Sequence, residues 1–104
     1  MKFEYDPNAS FLVNAALGTM DEGSRMMIYS AQAGEWQFML NYDEMHDQWT
    51  STYRTANRYL KEGVKYTTLQ CEPPLAISNK KHRYYKTREE AEAAAQRKLN
   101  ELNN

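Results

Sequence analysis

The stretch Met26-Met27-Ile28-Tyr29-Ser30-Ala31-Gln32-Ala33-Gly34-Glu35-Trp36-Gln37-Phe38-Met39-Leu40-Asn41-Tyr42 decides the fold. Met27, Tyr29 and Ala31 alternate with Met26, Ile28 and Ser30. After Gln32-Ala33-Gly34 a second alternation sets Trp36, Phe38, Leu40 and Tyr42 on one side. Strand side chains point to opposite faces with period two, so two such runs joined by a short glycine-containing loop predict a β-hairpin. The aromatic side of the second run is the predicted core face, because a register shift of one residue would place all four large side chains in water. Such a set more often builds a core than a platform for a stacked ligand.

Reading outward, residues 1–5 alternate weakly, with Phe3 and Tyr5 opposite Lys2 and Glu4, and predict a short strand ended by Asp6-Pro7-Asn8. Pro7 suits the start of a helix; Ser10 and the largely apolar run 11–17 continue it, and Gly18 stops it. Asp21-Glu22-Gly23 reads as a turn. In 43–63, Met45, Trp49, Tyr53, Ala56 and Leu60 recur at helical spacing, and Asn41 with Glu44 resembles a capping box. A helix closed by Gly63, with Lys61 in its last turn, is the favoured reading. The rival is a third strand over the β-formers 49–53, leaving only 55–62 helical.

Residues 64–71 alternate and predict a strand that Pro73-Pro74 must end. A loop over 75–81 and a short strand over 82–86 follow. Thr87-Arg88-Glu89-Glu90 is a capping box with Glu90 placed to reach back to the amide of Thr87, and Ala91, Ala95, Leu99 and Leu102 form the contact stripe of a C-terminal helix. The sum is an α+β fold in a single domain over 1–104: a mostly antiparallel sheet with an aromatic-faced hairpin, packed by two or three helices.

With 41% hydrophobic and 26% charged residues in 104, the chain has the balance of a globular protein rather than a disordered one. Its one cysteine, Cys71, has no mate for an intrachain disulfide, no basic segment leads into the early apolar run, and no run approaches the ~20 apolar residues of a membrane span. A cytoplasmic location without membrane association is the expectation.

The net charge of −1 conceals a polarised chain. Residues 1–52 carry two basic side chains against eight acidic ones, a net of −6, and residues 53–104 carry eleven against six, a net of +5. Such asymmetry points to charged partners.

Four candidate constellations follow. Asp43, Glu44, His46 and Asp47 are the densest set of metal-ligand types, and on a helix Asp43 would share a face with His46 or Asp47. Their spacing matches no structured zinc or calcium pattern, so an acidic helix start is the better reading, and no metal or cofactor is expected. Cys71, His46 and His82 are tied by no local motif, and the glycines are isolated, which leaves no nucleophile-and-base pattern and no phosphate loop. An enzyme is not expected. Arg54, Arg58 and Lys61 would form one positive stripe on a helix, while Lys80, Lys81, Arg83, Tyr84 and Lys86 interleave cations with aromatic rings as nucleic-acid surfaces do.

A slightly negative chain is a poor general binder of phosphate backbones. The expected function is therefore a small non-enzymatic interaction protein that docks on a protein partner through the acidic face of Asp43, Glu44 and Asp47, in the manner of regulators or inhibitors of bacterial or phage origin. The alternative is a nucleic-acid-binding module using the second-half cations. A two-fold homodimer is a further use of complementary poles.

Overall fold

The hairpin sits at the centre of the molecule. In a computed structural model that describes residues 1–55, 67–68 and 84–104, strand β1 (Glu4–Tyr5), helix α1 (Pro7–Leu17), strands β2 (Met26–Ala33), β3 (Trp36–Asp43), β4 (Gln48–Thr55) and β5 (Thr67–Thr68), and helix α2 (Arg88–Leu102) follow one another. The strands form one sheet in the order β1-β2-β3-β4-β5, every neighbouring pair antiparallel. The expected α+β class holds. Among the described residues there are two helices.

Ala33 pairs with Trp36 across a two-residue loop whose first member, Gly34, has φ +62°. Positive φ at that position matches the right-handed twist of the flanking strands and is costly for any residue with a Cβ. From this turn the register runs Tyr29 opposite Leu40 opposite Ser51, which puts Phe38, Leu40, Ala31, Ser51 and Tyr53 on one face. Phe38 and Leu40 have no exposed surface. Tyr53 stacks on Phe38 at 5.8 Å between ring centroids, and Trp49 sits 4.7 Å from Tyr42 and 5.6 Å from Tyr29.

Helix α2 closes this face. Ala91, Ala94 and Ala95 are buried, and Leu99 and Leu102 pack against the same cluster. The stripe read from sequence is present with Ala94 added to it. Small side chains let the helix approach closely enough for Ser51 Oγ to donate to the carbonyl of Ala91 at 2.8 Å, which satisfies a hydroxyl that is otherwise sealed from water. Thr87 caps the helix by accepting from the Glu90 amide at 3.1 Å. Glu90 does not reach the Thr87 amide as expected; it accepts from the Thr87 hydroxyl at 3.1 Å. Just before the cap, Tyr85 exchanges two backbone hydrogen bonds of 2.8 Å with Trp49, so part of the expected 82–86 strand is one bridge on the β4 edge.

The helix favoured over 43–63 is corrected by β4. Trp49 and Tyr53 are four residues apart, a spacing that satisfies both a helix turn and two strand repeats, and Ser51, buried between them, obeys only the strand period. Of the expected capping pair, Asn41 lies in β3 opposite Thr50 and Glu44 opens the four-residue hairpin loop over 44–47. Asp43 Oδ1 accepts from the His46 amide at 3.3 Å, the same bond to a residue three on that an N-cap makes, and Asp47 takes φ +51°, a conformation aspartate tolerates better than most. Of the other expectations, the helix over 55–62 beyond Thr55, which lies in β4, the strand over 64–71 outside Thr67–Thr68, the loop over 75–81 and Cys71 lie outside the described residues.

Truncating Phe38 to alanine removes the side chain on which both the stack and the α2 contact rest. Phe38→Ala is expected to cost about 3–5 kcal/mol, measured as a shift in urea midpoint at constant slope. Thr87→Ala, by contrast, should cost only about 1 kcal/mol.

Candidate interaction surface

Helix α1 is built inside out. It contains no charged residue, yet the side chains it turns inward are the polar Ser10 and Asn14, 2% and 6% exposed, while Phe11 and Leu12 stand 58% and 67% in water. Ala15 and Ala16 are exposed beside them. At 100° per residue, Phe11, Ala15 and Leu12 span an arc of about 100°, with Leu12 opposite Ser10 and Asn14 and Phe11 on the flank beside Asn14.

The inward residues close the outer edge of β2. Ser30 and Tyr29 pair with β1. One step along, the Ile28 carbonyl accepts from the Asp6 amide at 2.8 Å, and the Ile28 amide donates to Ser10 Oγ at 2.9 Å. Beyond it the Asn14 side chain acts as a peptide group: Oδ1 accepts from the Met26 amide at 2.7 Å and Nδ2 donates to the Met26 carbonyl at 2.8 Å. Asn14 Oδ1 also accepts from Thr19 Oγ1, which ties down the chain after the left-handed Gly18 cap. Asp6 holds the other end, capping α1 through Ala9 and accepting from Ser30 Oγ. An open strand edge is a template for unwanted pairing, and here polar side chains on a helix cover it.

Because α1 is hung from the edge, it overhangs the second face of the sheet and leaves a cleft of about 690 Å³. Ala9, Leu12 and Val13 form its α1 wall, and Ile28 and Met39, both nearly buried, lie among the sheet residues that line it. Arg54, on β4, lines the same cleft and donates from Nε to Gln37 Oε1 at 2.8 Å. Leu12 belongs to both features, lining the cleft and standing exposed on the outer arc.

The three carboxylates read as a partner surface are gathered in the β3–β4 loop, though not on a helix. Glu44 Oε1 accepts from Arg25 Nε and from the Arg25 amide, both at 3.0 Å; Asp43 Oδ2 lies 2.7 Å from His46 Nδ1; and the Tyr42 hydroxyl donates to Asp47 at 2.6 Å. The hydrogen bond from Arg25 holds the Glu44 carboxyl below its ordinary range, and the bond to Asp47 pushes the Tyr42 phenol above its own. Asp43 pairs in register with Met26, which Asn14 grips, so the start of this loop lies toward α1, while Asp47 is tied to Tyr42 on the face that α2 covers. Among the described residues no group of three or more metal-ligating side chains converges.

Most of the basic candidates lie outside the described residues. The helical stripe of Arg54, Arg58 and Lys61 does not form at Arg54, which lies on a strand; Arg58, Lys61, Lys80, Lys81 and Arg83 lie outside the described residues. Tyr84 is half-buried and Lys86 exposed. No helix among the described residues is long and apolar enough to cross a membrane. Sequence reasoning missed the role of Ser10 and Asn14, although two polar residues four apart inside an apolar run are a legible stripe. No family model matches the chain, and no curated protein or solved structure matches it.

Replacing Asn14 with alanine leaves the amide and carbonyl of Met26 without partners, and a loss of about 1–3 kcal/mol is expected in chemical denaturation. The Glu44 pair sets a pH dependence. Its folded pKa is lowered, so its contribution is present above the ordinary carboxylate pKa and lost as pH falls through the folded value. Glu44→Gln should therefore lower the melting temperature slightly at neutral pH, and the gap from the native protein should close on acidification.

Proposed function

We propose that this chain is a non-enzymatic interaction protein that docks on a protein partner through the outward face of α1, with the acidic β3–β4 loop steering the approach. The observation that carries the reading is the inversion of α1. An uncharged helix that buries Ser10 and Asn14 and exposes Phe11 and Leu12 presents apolar surface that a solvated helix would cover with charge. The edge of β2 accounts for which positions face outward; it does not account for those positions being apolar, since serine or lysine at 11 and 12 would serve that edge equally well.

The carboxylates of Asp43, Glu44 and Asp47 suit a rim rather than an anchor. Each already has a partner within the chain, so desolvating it would forfeit that bond, while its field still accelerates encounter with a basic surface. Nucleic acid is the less favoured target, because the exposed apolar helix is flanked by acids that repel phosphates. The test is capture of a partner from lysate with and without nuclease. Phe11→Ser with Leu12→Ser is expected to abolish nuclease-resistant capture without lowering the melting temperature, and Asp43→Asn with Asp47→Asn to slow association while leaving dissociation nearly unchanged. Capture that survives the α1 substitutions, or that disappears with nuclease, would refute the proposal.

A further inference from the structure

Resting on the docking reading above, we infer that the element received at α1 is an amphipathic α-helix of the partner, with apolar anchors on one face and Lys or Arg beside them. Three observations converge on this occupant. The first is the state of the neighbouring backbone. From Ser30 to Met26 the outer edge of β2 is taken by β1, Asp6, Ser10 and Asn14, so an incoming segment finds no free amide or carbonyl there and cannot be added as a strand. A segment that enters an apolar cleft must bring its own backbone hydrogen bonds already made, which a helix does.

The second is shape and area. Phe11, Leu12 and the adjacent alanines offer on the order of 300 Å² of apolar surface, and two copies facing each other through them would bury about half of the roughly 1,200 Å² of a stable dimer. A helix laid along α1 gains more. It covers this crest and lowers side chains past Leu12 into the cleft, onto the methionine and isoleucine floor of Met26, Ile28 and Met39. Unbranched methionines adapt to differing anchors.

The third is charge. The chain entering α1 carries Glu4 and Asp6, and the chain leaving it carries Asp21 and Glu22; in residues 1–24 Lys2 is the one basic side chain, a net of −3. The β3–β4 loop adds Asp43, whose register partner Met26 is held by Asn14, while Glu44 is paired with Arg25. An apolar crest with acids at both ends selects a helix with cations flanking its anchors and rejects an acidic one.

The probes are three fluorescent peptides of about 18 residues: a Leu/Lys helix with leucines at helical spacing, its Leu/Glu counterpart, and a Leu/Lys peptide with the leucines scrambled out of period. Fluorescence anisotropy on the full chain is expected to show the Leu/Lys helix bound at least about tenfold tighter than either control, with affinity falling as salt rises. Leu12→Ser with Phe11→Ser should weaken it by about tenfold or more, while Ala93→Ser on the outward side of α2 leaves it unchanged. Equal binding of the Leu/Glu helix, equal binding of the scrambled peptide, or indifference to the α1 substitutions overturns the inference. So does sedimentation showing a dimer that the same substitutions dissolve, since a second copy would then be the occupant. If all three peptides fail while partner capture remains dependent on Phe11 and Leu12, docking stands and the helical, basic partner is wrong.

Discussion

The outer edge of β2 has to be satisfied, and the way it is satisfied shapes the first half of the molecule. Two backbone residues, Met26 and Ile28, point their amides and carbonyls away from the hairpin, and β1 is too short to reach them. Leaving four such groups without partners would cost several kcal/mol at about 1–3 each. Asp6, Ser10 and Asn14 meet all four. That solution fixes the rotation of α1 about its own axis, since Ser10 and Asn14 must face inward together, and the rotation in turn sets Phe11 and Leu12 in solvent and leaves the cleft beneath Leu12.

The two faces of the sheet are therefore finished by different physics. On the first, apolar burial dominates: Phe38 and Leu40 are sealed under the alanines of α2, and Arg88 and Lys98 lie over the rings of Tyr29 and Tyr53 at its margin. Arg88 also donates to the carbonyl of Phe3 at 2.9 Å, joining the start of α2 to the N-terminal segment. On the second, hydrogen bonds set the position of α1, and among the described residues its apolar contact with the sheet is partial. A surface that is stable because of polar contacts can expose apolar residues without unfolding, which is the condition for an interaction surface.

Much of this was legible in the residues. The hairpin followed from two period-two runs and a glycine, and α2 from a cap and an alanine stripe, because both signals are local and belong to one period only. The segment containing β4 misled for physical reasons: the four-residue interval from Trp49 to Tyr53 fits a helix and a strand alike, and Asn41 with Glu44 keeps the spacing of a capping box although the first lies in β3 and the second in a hairpin loop. The limits of α1 were visible in Pro7 and Gly18, but not its orientation. Apolar residues occupy nearly every side of that helix, so hydrophobicity gives no stripe; the information lies in the polar pair Ser10 and Asn14, whose partners are backbone groups of a strand distant in sequence. The acids of the β3–β4 loop were found as a cluster, and their pairing with Arg25, His46 and Tyr42 depended on the fold.

Residue-resolved amide hydrogen exchange tests the suspension of α1 from β2 most directly. The Met26 and Ile28 amides, which face outward from an edge strand, should be protected nearly as well as those inside the β2–β3 ladder, and Asn14→Ala should release Met26 while protection of the β3 amides falls much less. Rapid exchange of Met26 and Ile28 in the native protein would contradict it, for α1 would then not be held by its polar face, and the exposure of Phe11 and Leu12 would lose its structural cause.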